Sequence, residues 1–341
     1  REHIGLCPFH NEKTPSFTVN NDKGFFHCFG CGAHGDVIGF IMRDEGLSFP
    51  EAVERLCGEA GLEVPIQENG NRAEIESRLS LYGVLEEATK IYENQLHSTQ
   101  GAVALSYLKT RGLTGETIKK FRLGYSMGTR NSLKISLKKQ HISEALMVTS
   151  GLLIEGQGTN GAYDRFRNRI IFPIQDRRGR VIAFGGRALD KSSQAKYLNS
   201  PDTPLFQKGS ILYAMHLAKG AARKADRIIT VEGYMDVISL HQAGIIETVS
   251  SLGTALTELQ LEEMWRLADS PILCFDGDSA GAVAAGRVAQ RALPRLKSGK
   301  SLFFATLPEG QDPDSLMNIK GRIGMEDCIN AAQTLSDKVW E

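Results

Sequence analysis

The sequence predicts a multidomain α/β protein that begins with a small metal-binding β module. Three features of its 341 residues indicate this class. Two pairs of Cys and His residues stand near the start, a strongly basic stretch occupies the middle, and short apolar strands alternate with helical segments from residue 226 to about residue 307. Alternation of this kind is typical of a parallel sheet covered by helices on both faces.

Four residues near the start have the spacing of a zinc site. Cys7 and His10 lie in "CPFH", Cys28 and Cys31 lie in "CFGC", and 17 residues separate the two pairs. Two knuckles of this type close a tetrahedral site with no open position, as structural Zn²⁺ requires. Clustered cysteines in a chain without a secretory signal are typical of metal ligands rather than disulfides. We therefore expect one structural zinc ion.

The residues around this site predict a hairpin followed by two short helices. His27 and His34 are alternative ligands, but His27 neighbours Cys28 and points to the opposite face if the stretch is a strand. The turn signal "NNDKG" between "SFTV" and "FFHCF" predicts the hairpin. Apolar residues at helical spacing, interrupted at "GLSFP", predict the two helices. A polar stretch without periodicity then predicts a linker at residues 67–80.

Charge is segregated along the chain, although 40 Lys and Arg balance 40 Asp and Glu overall. Residues 101–227 contain 23 basic and 8 acidic residues, a net charge of +15, so the rest of the chain carries −15. Many of the basic residues are arginines that alternate with aromatic and apolar residues. This pattern favours binding of nucleic-acid phosphates over a merely solvated basic surface.

Two apolar segments of the alternating region end on carboxylates. "RIITVEG" leads into Glu232, and "ILCFDGD" leads into Asp276 and Asp278. The "DGD" stretch alone also fits a plain turn or a helix cap. If the two segments are neighbouring parallel strands, however, their carboxyl ends place three repelling carboxylates at one edge of the sheet. A divalent cation relieves such repulsion, and oxygen ligands of this kind suit Mg²⁺ or Mn²⁺.

Motifs along nearly the whole chain resemble those of bacterial DNA primases of the DnaG type. They include "GLCPFHNEKTPSF", "FHCFGCGAHGDVIGF", "DRFRNRIIFPI", "KYLNSPDTPLFQK", "VEGYMDV", "SLGTALT" and "FDGDSAGAVAA". The resemblance implies a zinc-ribbon β module, a mixed α+β basic subdomain and a TOPRIM Rossmann-like α/β subdomain. It implies the boundaries 1–66 for the zinc-binding domain, 81–225 for the basic subdomain, 226–310 for TOPRIM and 311–341 for the start of a truncated helical subdomain.

The resemblance also implies roles for individual residues. Glu232, Asp276 and Asp278 correspond to the catalytic acidic triad, with Asp236, Asp312 and Asp314 around the same magnesium site. If "RFRNRIIFPI" is a strand, Arg165, Arg167 and Arg169 share one face, which suits phosphate binding. The resemblance also places the motif "KYLNSPDTPLFQK", with Lys196, Asn199 and Lys208, beside the metal site, and Arg187 after the glycine pair is a further candidate. The residues expected to bind template or nucleotide are Arg165, Arg167, Arg169, Arg187, Lys196, Asn199 and Lys208.

The activity implied by the resemblance is that of a DNA-directed RNA polymerase. Such an enzyme makes short RNA primers on single-stranded DNA from ribonucleoside triphosphates, using one structural Zn²⁺ and catalytic Mg²⁺ or Mn²⁺. The implied macromolecular partner is the replicative helicase, docked through a C-terminal domain absent here. No apolar stretch approaches the roughly 20 residues that span a bilayer, so no membrane contact and a cytoplasmic location are expected. The alternatives are a TOPRIM strand-passage or hydrolytic enzyme and a non-enzymatic zinc-ribbon DNA-binding module.

Overall fold

The computed structural model describes residues 2–10, 12–45, 47, 49–60, 72–156, 161–190, 193, 195–253 and 255–340. The chain divides into two compact units, Arg1–Asn71 and Arg72–Glu341. Within the described residues, no helix is both long and apolar enough to cross a membrane.

The first unit is a four-stranded antiparallel sheet in the order of the chain, followed by two helices. The predicted hairpin is confirmed, with Phe17 opposite Cys28 in its register. Side chains alternate across the sheet, so Phe17 and Phe26 are buried beside Phe9 and Phe40, whereas Phe25 is exposed. The two predicted helices are also confirmed. The elements are β1 (Glu2–Gly5), β2 (Phe17–Asn20), β3 (Phe25–Cys28), β4 (His34–Asp36), α1 (Val37–Glu45) and α2 (Phe49–Ala60).

The predicted linker at residues 67–80 is wrong for the residues from 72 onward. Its first part, up to residue 71, lies outside the described residues. From residue 72 onward it belongs to helix α3 (Arg72–Leu96). The segment is polar and lacks the apolar periodicity that usually indicates a helix. Its Ala, Glu, Leu and Arg residues nevertheless have high helix propensity, which summed over the segment favours a helix.

The basic part of the second unit is built on a four-stranded antiparallel sheet in the order β10-β9-β8-β5. Every residue of its central strand β8, "RIIFPIQ", is buried. Helix α3 crosses the edge strand so closely that a Cβ on Gly124 would lie 2.5 Å from the Cβ of Tyr92. The elements are α4 (Ala102–Thr110), α5 (Gly115–Lys120), β5 (Gly124–Ser126), α6 (Ser132–Lys139), α7 (Glu144–Thr149), β6 (Leu153–Ile154), β7 (Tyr163–Asp164), β8 (Arg169–Gln175), β9 (Val181–Ala188) and β10 (Tyr197–Asn199).

A five-stranded sheet in the order β12-β11-β13-β14-β15 follows. Its first four strands are parallel, which confirms the parallel sheet predicted from the alternation, and β15 pairs with β14 in the antiparallel sense. Within the segment predicted to begin a helical subdomain, residues 311–341, the strand β15 thus adds to this sheet. The elements are α8 (Met215–Ala225), β11 (Ile229–Val231), α9 (Tyr234–Gln242), β12 (Thr248–Ser250), α10 (Glu258–Trp265), β13 (Ile272–Phe275), α11 (Ser279–Ala292), β14 (Phe303–Thr306), α12 (Pro313–Asn330), β15 (Gln333–Thr334) and α13 (Leu335–Trp340), with short 3-10 helices at Thr99–Gly101, Lys208–Ser210 and Leu293–Arg295.

One tyrosine joins the two sheets of the second unit. Tyr234, the first residue of α9, stacks on Phe172 of β8 at 4.9 Å and meets Tyr213 edge-on at 4.8 Å. A Cβ on Gly185 of β9 would lie 2.4 Å from the Tyr234 ring, so only glycine admits the ring at this depth. Aromatic pairs of this kind add about 0.5–1.5 kcal/mol beyond the area they bury. The parallel sheet is therefore packed directly against the basic subdomain.

Candidate zinc centre and acidic crevice

The four predicted zinc ligands lie together in the first unit. One ligand atom from each of Cys7, His10, Cys28 and Cys31 lies within 4.8 Å of the others. The Sγ atoms of Cys7 and Cys31 are 3.8 Å apart, and Cys28 Sγ is 3.8 Å from His10 Nδ1. Zn–S bonds of about 2.3 Å in a tetrahedron separate two sulfur atoms by about 3.8 Å. The donor set therefore fits a structural zinc ion.

Glu12, which the sequence analysis did not single out, supports this cluster. Its carboxylate accepts hydrogen bonds from the backbone amides of Cys7 at 2.8 Å and Ser16 at 3.1 Å, and from the Ser16 hydroxyl. It also lies 3.2 Å from His10 Nε2, so it orients the ring with Nδ1 toward Cys28. A carboxylate on the outer nitrogen of a ligating imidazole fixes its tautomer and orientation.

The Cys28 thiol is already poised to ionise. Burial raises its pKa, but the hydrogen bond that its sulfur shares with Ser16 and those from the amides of Cys31 and Gly30 outweigh burial and lower the pKa to about 6. Burial dominates at Cys7 and raises its pKa to about 11. Metals bind the thiolate, so the lowered pKa of Cys28 favours its binding to a metal at neutral pH.

In the second unit, Glu232 and Asp276 follow neighbouring parallel strands, as predicted. Strands β11 and β13 pair directly, and the backbone amide of Asp276 donates a hydrogen bond to Glu232 Oε1 at 3.3 Å. The "DGD" turn is held against the loop after β14 by Gly277, whose amide donates to Gln311 O at 2.9 Å. A Cβ at Gly277 would lie 2.1 Å from the carbonyl oxygen of Pro308, so glycine is required here.

The helix-cap interpretation also holds for two of the predicted acids. Asp278 is the N-cap residue just before α11, and its Oδ1 accepts from the Gly281 amide at 2.7 Å. Asp312 is the N-cap residue just before α12, and its Oδ1 accepts from the Ser315 amide at 2.7 Å. Capping uses one oxygen of each carboxylate, so a cap and a cation can share the same side chain. Asp278 is exposed and Asp312 is half-buried.

Asp236 and Asp276 have strongly perturbed pKa values. Burial, followed by the charges of Asp312, Asp276 and Asp314, raises the pKa of Asp236 to about 7. Burial, followed by the charges of Glu232, Asp312 and Asp278, raises the pKa of Asp276 to about 7. Asp276 Oδ1 is buried without a hydrogen-bond partner. An orphaned buried oxygen among mutually repelling carboxylates fits a divalent cation with oxygen ligands.

Asp314 already has a cationic partner. Its side chain is 2% exposed and forms an ion pair with Arg111, which the sequence analysis did not single out. Its second oxygen, Oδ1, is buried and has no hydrogen-bond partner. Within the part of the chain that the structure describes, no three carboxylates bring ligand atoms within 4.8 Å of one another. Six acids of the second unit are called the acidic crevice from here on: Glu232, Asp236, Asp276, Asp278, Asp312 and Asp314.

The prediction that Arg165, Arg167 and Arg169 share one strand face is wrong. Strand β8 begins only at Arg169, and Asn168 has a left-handed φ of 49°, which interrupts the alternation. Arg165 donates from Nε and Nη2 to the Asn199 carbonyl at 3.0 and 2.8 Å. Arg169 is buried and donates to the carbonyls of Gly186 in β9 and of Lys196 just before β10, whereas Arg167 is exposed beside the Tyr163 ring at 5.0 Å.

Arg187 lies close to the acidic crevice. Its guanidinium is 4.5 Å from the centre of the Tyr107 ring, and Arg111 donates to the Tyr107 hydroxyl at 2.9 Å. Burial raises the pKa of the Tyr197 hydroxyl. The charges of Arg187 and Arg111 lower this pKa, and the charge of Asp236 raises it. Tyr197 therefore lies between the basic and the acidic residues. Tyr107 and Tyr197 carry no sequence signal that separates them from ordinary core aromatics.

The other three residues predicted to bind template or nucleotide, Lys196, Lys208 and Asn199, differ in how accessible their side chains are to a ligand. Lys196 is exposed. Lys208 is half-buried, and its amide donates to Asp202 at 3.0 Å. Asn199 uses its side-chain amide internally, donating to the Leu252 carbonyl at 3.0 Å and accepting from the Tyr234 hydroxyl at 2.7 Å.

Three known families match successive parts of this chain. Residues 1–72 match the CHC2 zinc finger, residues 91–219 match the N-terminal domain of the DNA primase catalytic core, and residues 229–317 match a Toprim-like domain. A zinc ribbon, a primase core and a Toprim-like sheet with strand-end acids define a class of nucleic-acid enzyme. Its members have one site for zinc and a separate site for other divalent metal ions.

Individual relatives narrow the class to one family. The DNA primase of Pseudomonas aeruginosa is 46% identical over 338 residues, which are 98% of this chain and 50% of that protein. A DnaG primase catalytic domain bound to ssDNA matches with a TM-score of 0.70 at 36% identity, covering 78% of this chain and 83% of that one. The Aquifex aeolicus primase, with zinc-binding and RNA polymerase domains, matches with a TM-score of 0.68 at 31% identity, covering 98% and 79%. The chain belongs to the bacterial DnaG-type DNA primase family, and it spans about half the length of the curated relatives it matches.

Replacing a zinc ligand tests the zinc centre. We expect Cys28→Ser to lose the bound zinc and to unfold the first unit, because a structural metal contributes folding free energy directly. Zinc content by atomic absorption and limited proteolysis would report the two effects. The matched control is Cys57→Ser, which lies outside the cluster and should keep its zinc. Full zinc occupancy in Cys28→Ser would show that Cys28 is not a ligand.

The raised carboxyl pKa values predict how pH acts on the second unit. Between the ordinary pKa near 4 and the folded value of about 7, the folded protein holds protons at Asp236 and Asp276 that the unfolded chain has released. Their contribution to stability is therefore present at low pH and is lost as pH rises through about 7. A bound divalent cation replaces those protons, so added Mg²⁺ should raise the melting temperature more at pH 8 than at pH 6. Asp276→Asn should shrink that difference, and an equal rise at both pH values would contradict the assignment.

Proposed function

We propose that this chain is the zinc-binding and polymerase part of a DNA primase that makes short RNA primers on a single-stranded DNA template from ribonucleoside triphosphates. The observation that carries the proposal is the acidic crevice, which adjoins Arg187 and Arg111 in a chain of the primase family. The relative described as bound to ssDNA supports the choice of template. A replicative helicase as further partner stays a prediction from the resemblance.

Glu232, Asp276 and Asp278, with Asp236 and Asp312, are the residues proposed to hold Mg²⁺ or Mn²⁺. The bound cations would activate the attacking 3′-hydroxyl and neutralise the charge of the phosphates. The chain itself contributes position: Gly277 fixes the "DGD" turn, and the caps at Asp278 and Asp312 fix the two carboxylates at the starts of α11 and α12. Asp314 supports the crevice from behind through Arg111.

Basic residues of the second unit would bind the anionic substrates. Arg187 lies next to the crevice and is suited to the triphosphate, because a guanidinium binds phosphate oxygens in a bidentate manner. The exposed side chains of Arg167 and Lys196 are suited to the template backbone. The closed four-ligand zinc centre offers no open position and therefore supplies structure rather than chemistry.

The tyrosine of the "EGYMD" motif is not suited to act in strand passage. A strand-passage enzyme needs a tyrosine nucleophile, and the tyrosine of the "EGYMD" motif, Tyr234, is 4% exposed. Burial raises its pKa well above the ordinary value, and its hydroxyl donates to Asn199. Such a hydroxyl is neither accessible to DNA nor readily ionised. Nucleotide incorporation distinguishes a primase from the other alternative, a non-enzymatic zinc-ribbon DNA-binding module.

Isosteric replacement of two acids tests the activity. Asp276→Asn or Asp278→Asn should reduce template-dependent incorporation of labelled ribonucleotides by at least about a hundredfold, because each removes a charge needed for cation binding. Asn still accepts the capping hydrogen bond at position 278, so the fold should be retained. Affinity for single-stranded DNA should change little.

The matched control is Asp269→Asn, an exposed acid that pairs with Lys300, which should retain activity. Wild-type incorporation by either crevice variant under Mg²⁺ or Mn²⁺ would refute the assignment. A wild-type chain that binds template but never incorporates nucleotides would instead favour the DNA-binding module.

A salt series tests the template contacts. Arg167→Gln and Lys196→Gln should each weaken binding of single-stranded DNA at low salt and reduce the log–log salt slope by about 0.7, the value expected per phosphate contact on a single strand. Arg266→Gln, which removes an exposed arginine paired with Glu263, is the control and should leave the slope unchanged. Slopes equal to the wild type would mean that the two residues do not contact phosphate.

A further inference from the structure

The side chain of Asn199 lies where three segments of the second unit meet. Its Nδ2 donates to the Leu252 carbonyl at 3.0 Å in the loop after β12, and its Oδ1 accepts from the Tyr234 hydroxyl at 2.7 Å at the start of α9. The backbone carbonyl of Asn199 accepts two hydrogen bonds from the Arg165 guanidinium. With one hydrogen bond at each end, the side-chain amide has only one N–H and one oxygen lone pair left for any other partner.

The Tyr234 arm leads directly to two carboxylates of the acidic crevice. The ring is fixed by Phe172 and by the close approach of Gly185, so its hydroxyl has little freedom to seek another partner. Tyr234 comes two residues after Glu232 and two before Asp236, whose Oδ2 accepts from the Gly233 amide at 2.9 Å. The hydrogen bond to Asn199 therefore pins the turn that carries both acids.

The Leu252 arm reaches the same turn by a second route. Leu252 is buried and has a left-handed φ of 64°, a conformation that a residue other than glycine adopts only when its surroundings hold it there. Its amide donates to the Ser250 hydroxyl at 3.3 Å, and that hydroxyl donates to the Glu232 carbonyl at 2.9 Å. Asn199, by holding the Leu252 carbonyl, supports the backbone of Glu232 from the other side.

We infer that Asn199 is a positioning residue, which acts through Tyr234 and Leu252 to set the place of Glu232 and Asp236, rather than a contact to template or nucleotide. The expected effect on catalysis rests on the proposed function. The expected effect on cation binding does not, because it depends only on the positions of Glu232 and Asp236. Arg165 shares this role because it anchors the Asn199 backbone instead of facing a phosphate.

The test uses Asn199→Ala, Tyr234→Phe and the double variant in the full chain. Tyr234→Phe keeps the ring and removes only the hydroxyl. Each single variant should lower kcat for ribonucleotide incorporation by about tenfold or more, with KM for the nucleotide within about twofold of the wild type. The double variant should be no worse than the more affected single variant, because both remove the same hydrogen bond.

A readout independent of activity is Mn²⁺ binding followed by electron paramagnetic resonance. Affinity should fall by about tenfold in Asn199→Ala and Tyr234→Phe, as it does when groups that orient metal ligands are removed. Tyr125→Phe is the matched control, since Tyr125 also donates to an asparagine, Asn168, at 3.0 Å but lies on the other sheet. It should leave Mn²⁺ affinity and kcat unchanged.

Three outcomes would overturn the inference: an increase in KM at unchanged kcat in Asn199→Ala, an unaffected Tyr234→Phe, or additive effects in the double variant. If Asn199→Ala does not fold, Tyr234→Phe alone decides. A wild-type chain that incorporates no nucleotide refutes the proposed function, whereas unchanged Mn²⁺ affinity in Tyr234→Phe refutes the positioning role.

Discussion

The pairing of β11 with β13 is the constraint on which the acidic crevice depends. Parallel neighbours end at the same edge of a sheet, so Glu232 and Asp276 are adjacent although they are 44 positions apart in the chain. Placing like charges together in a partly buried site is unfavourable: burial first, and then the neighbouring carboxylates, raise the pKa values of Asp236 and Asp276 to about 7. The fold accepts this cost because parallel packing, and not the attraction of the acids, determines where the strands end.

The rest of the second unit reduces that repulsion with ordinary structural devices. Helix starts at Asp278 and Asp312 place backbone amides against carboxylates, and the partial positive charge of a helix start favours an anion there. Arg111 neutralises Asp314, and Tyr234 fills the space between the parallel sheet and the basic sheet. Segregation of charge along the sequence thus becomes contact between opposite charges in the fold.

Local patterns in the sequence predicted the elements that local forces make. The spacing of the Cys and His pairs anticipated the cluster in the first unit, and alternating apolar segments anticipated the parallel sheet with acids at its strand ends. What failed depended on one backbone angle, on local helix propensity, or on distant contacts. The left-handed Asn168 broke the expected arginine face, and helix propensity overrode the expected linker. Arg111 and Asp314 are 203 residues apart, a separation at which no local pattern survives.

The ion pair between Arg111 and Asp314 has a consequence for variation among homologous chains. A carboxylate buried this deeply is costly to leave without its partner, and removal of one member of such a pair is far more damaging than replacement of both. The two positions, on segments far apart in the chain, should therefore change together: homologues that lack the arginine at position 111 should carry a neutral residue at position 314. Covariation of these two positions would be a record of the electrostatic balance at the back of the crevice.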